Sequence, residues 1–276
     1  MEFESVNAVT SVMKSARNIT LAVAASFVFV FPATVLGSAC NAGDSVSDEK
    51  KSENQEKDGV CIIVLLGAPG AGKGTVAQKL ADSYNMIHFS TGNLLRDEVE
   101  RGTELGKQVK AVMIAGGLVS DDLINKVVES NLRSNLGSGR VILLDGYPRT
   151  VQQAEFLDSL NLGSGMLWSK TCVVEIAVDR DVVVSRLVGR KVCEKCKKTF
   201  GPSCSLCDVC GVSLVKRVDD NKETVIRRCE VYEKETRPVS RYYSSKARLV
   251  KIDGGQPPEE VARMTKGAID VCVKRK

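Results

Sequence analysis

The sequence carries one histidine and one tryptophan in 276 residues, and only 5% of its residues are aromatic. A single histidine cannot build a multi-histidine metal centre. Set between Ile87 and Phe89, His88 reads as a packed core residue with no part in chemistry. Nor is there a long block of basic residues: the net charge of +5 comes from 39 Lys and Arg spread against 34 Asp and Glu. That balance leaves no electrostatic footprint for a nucleic acid, and no nucleic-acid partner is expected. The hydrophobic fraction of 43% and charged fraction of 26% suit a soluble globular core. Cysteine is plentiful by contrast, with ten residues unevenly placed.

Glycines gather at Gly67-Ala68-Pro69-Gly70-Ala71-Gly72-Lys73-Gly74-Thr75. An apolar run, Cys61 to Leu66, precedes them, and a helix-like pattern, Val76 to Ala81, follows. Strand, glycine loop and helix in that order form a phosphate cradle, because inward N–H groups and the helix N-terminus both favour an anion. Lys73 is placed to reach the β- and γ-phosphates, and Thr75 to lie near magnesium. The usual loop has its hydroxyl residue directly after the lysine, whereas Gly74 intervenes here.

Residues 1–60 stand apart from that domain. Ile19 to Leu36 is eighteen residues without charge, preceded by Lys14 and Arg17 and followed by Gly37-Ser38-Ala39 before Cys40. This is the layout of a signal peptide over 1–40, improved if translation starts at Met13; an uncleaved membrane tether through 19–36 is the alternative. Export, organelle targeting or membrane tethering is therefore expected, against a cytoplasmic alternative. Residues 41–59 are polar and aperiodic, a disordered linker. The folded domain is expected over 60–276.

Along it, Met86–Phe89 is a strand candidate and Ser90-Thr91-Gly92 caps a helix. Helical runs follow over Leu105–Ala115, ending at Gly116-Gly117, and over Leu123–Asn135, opened by Ser120-Asp121-Asp122. Val141–Leu144 is a buried parallel strand by its continuous apolar character, and it runs into Asp145-Gly146-Tyr147-Pro148-Arg149. An acid at the C-terminal end of a strand beside the glycine loop is placed to hold magnesium through water. Cys172–Val178 is the next strand. A helix over Arg180–Gly189 follows, and four-residue spacing sets Arg186 and Arg190 on one face. Leu249–Asp253 is the last strand and Pro258–Val273 the closing helix. Strands alternating with helices predict an α/β fold with a doubly wound parallel sheet.

Five cysteines, Cys193, Cys196, Cys204, Cys207 and Cys210, fall within eighteen residues. Cys193-x2-Cys196 and Cys207-x2-Cys210 have the spacing of a tetrahedral four-cysteine zinc site. Gly211 favours the second knuckle over the competing Cys204-x2-Cys207 register. Disulfides are the alternative, and an oxidising compartment would favour them. Leu214 to Tyr232, strand-poor and carrying Arg217, Asp219, Asp220, Arg227 and Arg228, reads as a mobile lid, with a solvated charged loop as the alternative.

The motifs GAPGAGKGT (67–75), STGNLLR (90–96), LLDGYPRT (143–150), RLVGR (186–190) and RVDDNKETVIRR (217–228) together resemble the adenylate kinase family from about Ile62 to the C-terminus. The resemblance implies a P-loop three-layer fold with a five-stranded parallel sheet, a helical insert near 90–119 that binds the nucleoside monophosphate, and a small four-cysteine zinc lid near 190–227. It implies reversible phosphoryl transfer from ATP to AMP giving two ADP, with Mg2+ accompanying ATP, structural Zn2+, and a monomeric enzyme. Gly70, Ala71, Gly72, Lys73, Gly74, Thr75, Arg190, Thr199, Phe200 and Gln256 match positions that hold ATP. Thr91, Arg96, Gly117, Leu118, Val119, Gly146, Tyr147, Pro148, Arg149, Gln153, Arg217 and Arg228 match positions that hold AMP. Lys73, Arg149, Arg186, Arg190, Arg217 and Arg228 match the groups around the transferring phosphoryl, Asp145 and Thr75 the magnesium positions, and Cys193, Cys196, Cys207 and Cys210 the zinc ligands. This chain departs from the family in its shortened loop between knuckles, the extra Cys204, its N-terminal extension, and Asn93 in place of an Asp. A kinase for UMP, CMP or GMP is the alternative.

Overall fold

β1 (Ile62–Leu66) is five apolar residues in succession, every one buried. A strand with no polar face fits only the middle of a sheet covered on both sides. In the computed structural model, which describes residues 61–136, 138, 140–161 and 171–274, that is where it lies. β1 pairs with β3 (Ile142–Asp145) on one side and β4 (Thr171–Ala177) on the other. β2 (Ile87–Ser90) pairs with β3, and β7 (Leu249–Asp253) with β4. The order β2-β3-β1-β4-β7 is parallel throughout, as the alternation of strands and helices predicts.

Side chains alternate across β1. Ile62, Val64 and Leu66 join one core with Ile124, Val128, Leu157 and Tyr243, while Ile63 and Leu65 join another with Val76, Leu80, Val261 and Ile269. The first face is covered by α4 (Asp121–Ser134), α5 (Val151–Ser159) and α8 (Arg237–Ser245); the second by α1 (Lys73–Tyr84) and α9 (Pro258–Lys274). Burying each such side chain favours folding by roughly 1.5–3 kcal/mol.

Register brings the functional end together. Asp145 lies beside Leu65 in β1 and Ser90 in β2. The three strands therefore end level, and their following segments emerge on one edge, where open α/β sheets take ligands.

Two insertions overhang this edge. α2 (Thr91–Arg101) and α3 (Glu104–Ile114) form a hairpin. Ser90 caps α2 by accepting from the Asn93 N–H, and Thr103 caps α3 by accepting from the Gly106 N–H at 3.1 Å. α6 (Arg180–Val188) leads into the cysteine segment, built on β5 (Lys191–Val192) and β6 (Thr199–Phe200). Those strands pair antiparallel, and Val192 also bridges Val215. α7 (Lys222–Val231) then continues through a π-turn, Tyr232–Thr236, into α8.

Three helices lie where none was predicted. α5 is signalled by Thr150 and Gln153, a capping pair in which Thr150 Oγ1 accepts from the Gln153 N–H at 3.1 Å. α7 occupies the second half of the strand-poor stretch read as a mobile lid, where no helix was predicted; Asn221 caps it, accepting from the Thr224 N–H at 2.8 Å. α8 begins with Pro238 in its first turn, where a missing N–H costs nothing. The signal-peptide, tether and linker readings of 1–60 lie outside the described residues. Among the described residues no helix is long and apolar enough to cross a membrane.

Candidate active site

The loop between β1 and α1 turns through left-handed backbone at Gly70 (φ 83) and Gly72 (φ 95). At Gly70 space is short as well: a Cβ would stand 2.8 Å from Leu187 Cγ and 3.0 Å from the Val183 carbonyl on α6. Only glycine meets both demands. α1 starts at Lys73, so its unpaired N–H groups open onto the loop. Lys73 Nζ donates to the carbonyls of Gly67 (2.7 Å) and Ala68 (2.9 Å). Burial, opposed by Asp145 and reinforced by Arg149, Arg228 and Arg190, pushes its pKa down to about 8.

A cleft of roughly 510 Å³ opens above the loop. Gly70 to Thr75, Asp145, Arg186, Arg190, Thr199, Phe200 and Gln256 all line it, with Arg96, Gly146, Pro148, Arg149, Arg217 and Arg228. Arg190 lies two residues beyond the end of α6, so the predicted shared helix face with Arg186 is not what aligns them. Arg186 is held by the Gly254 carbonyl at 3.1 Å, and Arg190 grips Asp220 with both ends of its fork, at 2.7 and 2.6 Å.

A smaller hollow of about 60 Å³ adjoins it, lined by Thr91, Gly117, Leu118, Val119 and Gln153, with Arg96, Gly146, Arg149 and Arg228 shared between the two. Thr91 Oγ1 donates to the Gly146 carbonyl at 2.9 Å. Gln153 is buried with both ends engaged: Oε1 accepts from the Arg149 N–H (2.7 Å) and Nε2 donates to Asp121 (2.6 Å). Tyr147 differs from the expectation of a lining residue. Its ring is buried in the core and its hydroxyl donates to Asn125 Oδ1 at 2.6 Å.

Six guanidiniums converge on this edge, those of Arg96, Arg149, Arg186, Arg190, Arg217 and Arg228. Burial and mutual repulsion push Arg149 down to about 10 and Arg217 to about 9. Arginine does not surrender its proton in proteins, so these depressions express the cost of holding buried guanidiniums close together, a cost that an anion between them would lessen. Asp219 and Asp220 supply the countercharge within the chain. Arg228 reaches both, at 3.0 and 3.1 Å, and Arg96 Nη1 lies 3.7 Å from Asp219. Burial raises the Asp219 carboxyl, but Arg228, Arg96, Arg190 and Arg217 outweigh it and hold it below the ordinary range.

Asp145 is likewise raised by burial and lowered more by His88, Lys73 and Arg149. His88 corrects the core reading. Its Nε2 stands 3.4 Å from Asp145 Oδ2, and the ring lines the cleft with Ser90 and Asn93. The signal lay in β2 itself: β2 is only partly buried along one side, so alternate residues face the ligand edge.

In the cysteine segment, the sulfurs of Cys193, Cys196, Cys207 and Cys210 all lie within 4.8 Å of one another, and Cys196 and Cys207 are 3.6 Å apart. Four sulfurs about 2.3 Å from a shared ion stand about 3.8 Å apart, so the cluster fits a tetrahedral metal. N–H groups of Cys196 and Cys210 point at the first sulfur of each knuckle, at 3.5 and 3.3 Å. No disulfide joins the four, and Cys204 is exposed outside the cluster. The Cys207–Cys210 register is thus the one adopted.

Comparison with known proteins agrees with this geometry. The adenylate kinase family model matches residues 65–248. An adenylate kinase of Thermoanaerobacter sp. (strain X514) is 43% identical over 213 residues, 75% of this chain and 97% of the relative. That of Alkaliphilus oremlandii is 45% identical over 205 residues, 72% of this chain and 94% of the relative. One from Anaeromyxobacter sp. (strain Fw109-5) is 43% identical over 212 residues, covering 74% and 97%. With the sheet order, the glycine loop and the ring of arginines already in place, these matches show that the chain belongs to the adenylate kinase family.

Proposed function

We infer that this chain catalyses reversible phosphoryl transfer from ATP to AMP, giving two ADP. The observation that carries the reading is the convergence of Lys73, Arg149, Arg186, Arg190, Arg217 and Arg228 on one cleft at the ends of β1 and β3. A loose phosphoryl-transfer transition state spreads negative charge over the equatorial oxygens. Little covalent work falls to the protein, so alignment and fixed positive charge supply the rate.

Gly70 to Thr75 hold the ATP phosphates through backbone N–H groups, with Lys73 turned from the Gly67 and Ala68 carbonyls toward the β- and γ-oxygens. Thr199, Phe200 and Gln256 flank the ATP base and ribose. Thr91, Arg96, Gly117 to Val119, Gly146, Arg149 and Gln153 bound the AMP hollow, with Tyr147 buried behind it and Pro148 on the adjoining cleft. Arg149, Arg190, Arg217 and Arg228 meet between the two halves, where their forks bind two oxygens each. Magnesium bound with ATP neutralises phosphate charge; Thr75 and Asp145, the latter through water, are the residues to hold it. The closed lid excludes water, which would otherwise receive the phosphoryl group.

The four lid cysteines are the ligands for one structural zinc, since so small an insert has no core of its own to hold it. The enzyme acts as a monomer, and residues 19–36 serve as an export signal or tether; gel filtration and the intact mass of the mature protein test these two points. The catalytic reading is tested by a coupled assay with AMP, UMP, CMP and GMP. ADP formation with AMP well above the others is expected. Preference for another monophosphate would replace AMP as substrate, and no turnover with any would refute the reading.

A further inference from the structure

The two cysteine knuckles offer a comparison inside one chain. Each is closed by a residue in the left-handed region directly after its second cysteine, Lys197 at φ 59 and Gly211 at φ 67. In each, that residue's N–H donates to the carbonyl of the first cysteine, Cys193 at 2.8 Å and Cys207 at 2.9 Å. The backbone demand is the same. Glycine meets it freely, whereas a residue with a side chain is strained there. The first knuckle nevertheless carries a lysine.

That side chain leaves the lid. Lys197 Nζ lies 2.8 Å from Asp97 Oδ1 and 3.3 Å from Glu100 Oε2. Both acids are on α2, three residues apart and so on one face. α2 also carries Asn93 and Arg96, which line the main cleft, and the lid carries Arg217. Lys197 lines both that cleft and a second cavity of about 180 Å³ between α2, α3 and the lid. It stands on the seam between the two overhanging insertions. Arg96 and Asp219 also meet across the seam, but they belong to the phosphate-facing cluster. Asp97, Glu100 and Lys197 have no part in it.

We propose that Lys197 is a positioning residue for phosphoryl transfer, a latch whose pairing with Asp97 and Glu100 holds the lid against the helical insert and sets how fast the closed cleft reopens. The proposal rests on the reading of 190–227 as the lid of an ATP:AMP phosphotransferase. The ion pairs exist only when lid and insert touch, so they weigh the closed arrangement against the open one. Half-exposed pairs are weak and screened by salt. Together they shift the open–closed ratio roughly two- to fivefold. Where reopening limits turnover, a looser latch raises kcat and both KM values together.

The test is Lys197→Gly in the full chain. Glycine is what the second knuckle uses, so this change relieves the backbone while it removes the latch. Lid opening is measured by 15N relaxation dispersion with saturating ATP and AMP, beside kcat, KM and thermal stability. Opening is expected to quicken roughly two- to fivefold, both KM values to rise, and stability to hold or increase. Added NaCl at about 0.5 M should quicken opening more in the wild type than in the variant, which keeps the Arg96–Asp219 pair across the seam. Asp97→Asn should reproduce part of the effect, and the exchanged pair Lys197→Asp with Asp97→Lys should restore slow opening. Equal opening rates in wild type and Lys197→Gly, or no response to Asp97→Asn, would overturn the latch. A wild type that forms no ADP would count against the catalytic reading, and the opening rates would still judge the latch.

Discussion

Asp220 is the most telling place to perturb the charge cluster. Its side chain is 0% exposed, and its two oxygens accept three charge-assisted hydrogen bonds, two from Arg190 at 2.6 and 2.7 Å and one from Arg228 at 3.1 Å. Asp220→Asn keeps the shape but turns one acceptor into an NH2 donor. Whichever way the amide is set, Arg190 faces a donor, and in one of the two settings Arg228 does as well. Breaking a buried pair from one side typically costs about 3–5 kcal/mol. Because Asp219 still faces Arg228, the low end, about 3 kcal/mol, is expected here. For a domain of this size that lowers Tm by roughly 6–12 °C. The loss should shrink when nucleotide is present, since phosphates then supply part of the missing negative charge. Urea unfolding with and without a bisubstrate dinucleotide, beside kcat, measures all of this. A variant within about 0.5 kcal/mol of wild type, or one whose loss is equal with and without the dinucleotide, would refute the argument that Asp220 and the phosphates serve the same arginines.

Lys73→Met should abolish turnover while the fold survives, as circular dichroism would show. The same variant reports on pH. Lys73 titrates at about 8 when folded against an ordinary 10.5. Between those values the unfolded chain holds a proton that the folded one has released, so the stability of nucleotide-free wild type gains as pH rises from 8 to 10.5. The gain is at most about 3 kcal/mol, and Lys73→Met should lack it in denaturant titrations. Arg149→Ala should lower kcat by a factor of roughly 10²–10³, the worth of about 3–4 kcal/mol of transition-state contact; a change confined to KM would reduce Arg149 to ground-state binding. Cys207→Ser should release zinc, seen by metal analysis with free-thiol titration, and lower lid stability first, whereas Cys204→Ser should change neither. A metal-free wild type with the four thiols oxidised would make the staple a disulfide one.

The strands were legible because a buried parallel strand has only one kind of residue to offer. Ile62–Leu66 and Ile142–Leu144 are apolar without interruption, and Leu249–Asp253 falls where predicted. Helices with caps beside apolar stripes were legible as well. α7 was not, because only Val225 and Cys229 of its apolar positions are buried in a small core with Val183 and Leu187, while Arg228 turns to the charge cluster, which leaves too short a stripe to show helical periodicity. α5 and α8 escaped for a different reason: each is nine residues long, too short for periodicity, and only their N-terminal chemistry gives them away. In the site, the arginines were legible by motif. The place of Asp220 as anchor for Arg190 and Arg228 was not, since it stands thirty positions from Arg190 and meets it only in the folded chain. His88 was misread because neighbours in a strand point to the opposite face, and apolar flanks say nothing of where the residue between them looks.

Val192 and Val215 exchange backbone hydrogen bonds, 2.8 Å one way and 3.0 Å the other. The chain therefore enters and leaves the cysteine segment through a single paired neck. Beyond the neck the chain is gathered around its four clustered sulfurs and the short β5–β6 pair, and neither strand of that pair belongs to the five-stranded sheet. A part joined in this way behaves as a cassette. It can be exchanged for another of matching neck width without disturbing the strand order or the glycine loop, and the four-cysteine cluster would come or go with it in one step. Lys73, Arg149 and Arg190, the residues proposed to act on the phosphoryl group, sit on the other side of the neck. The means of fastening the lid and the means of moving the phosphoryl group are thus free to change independently.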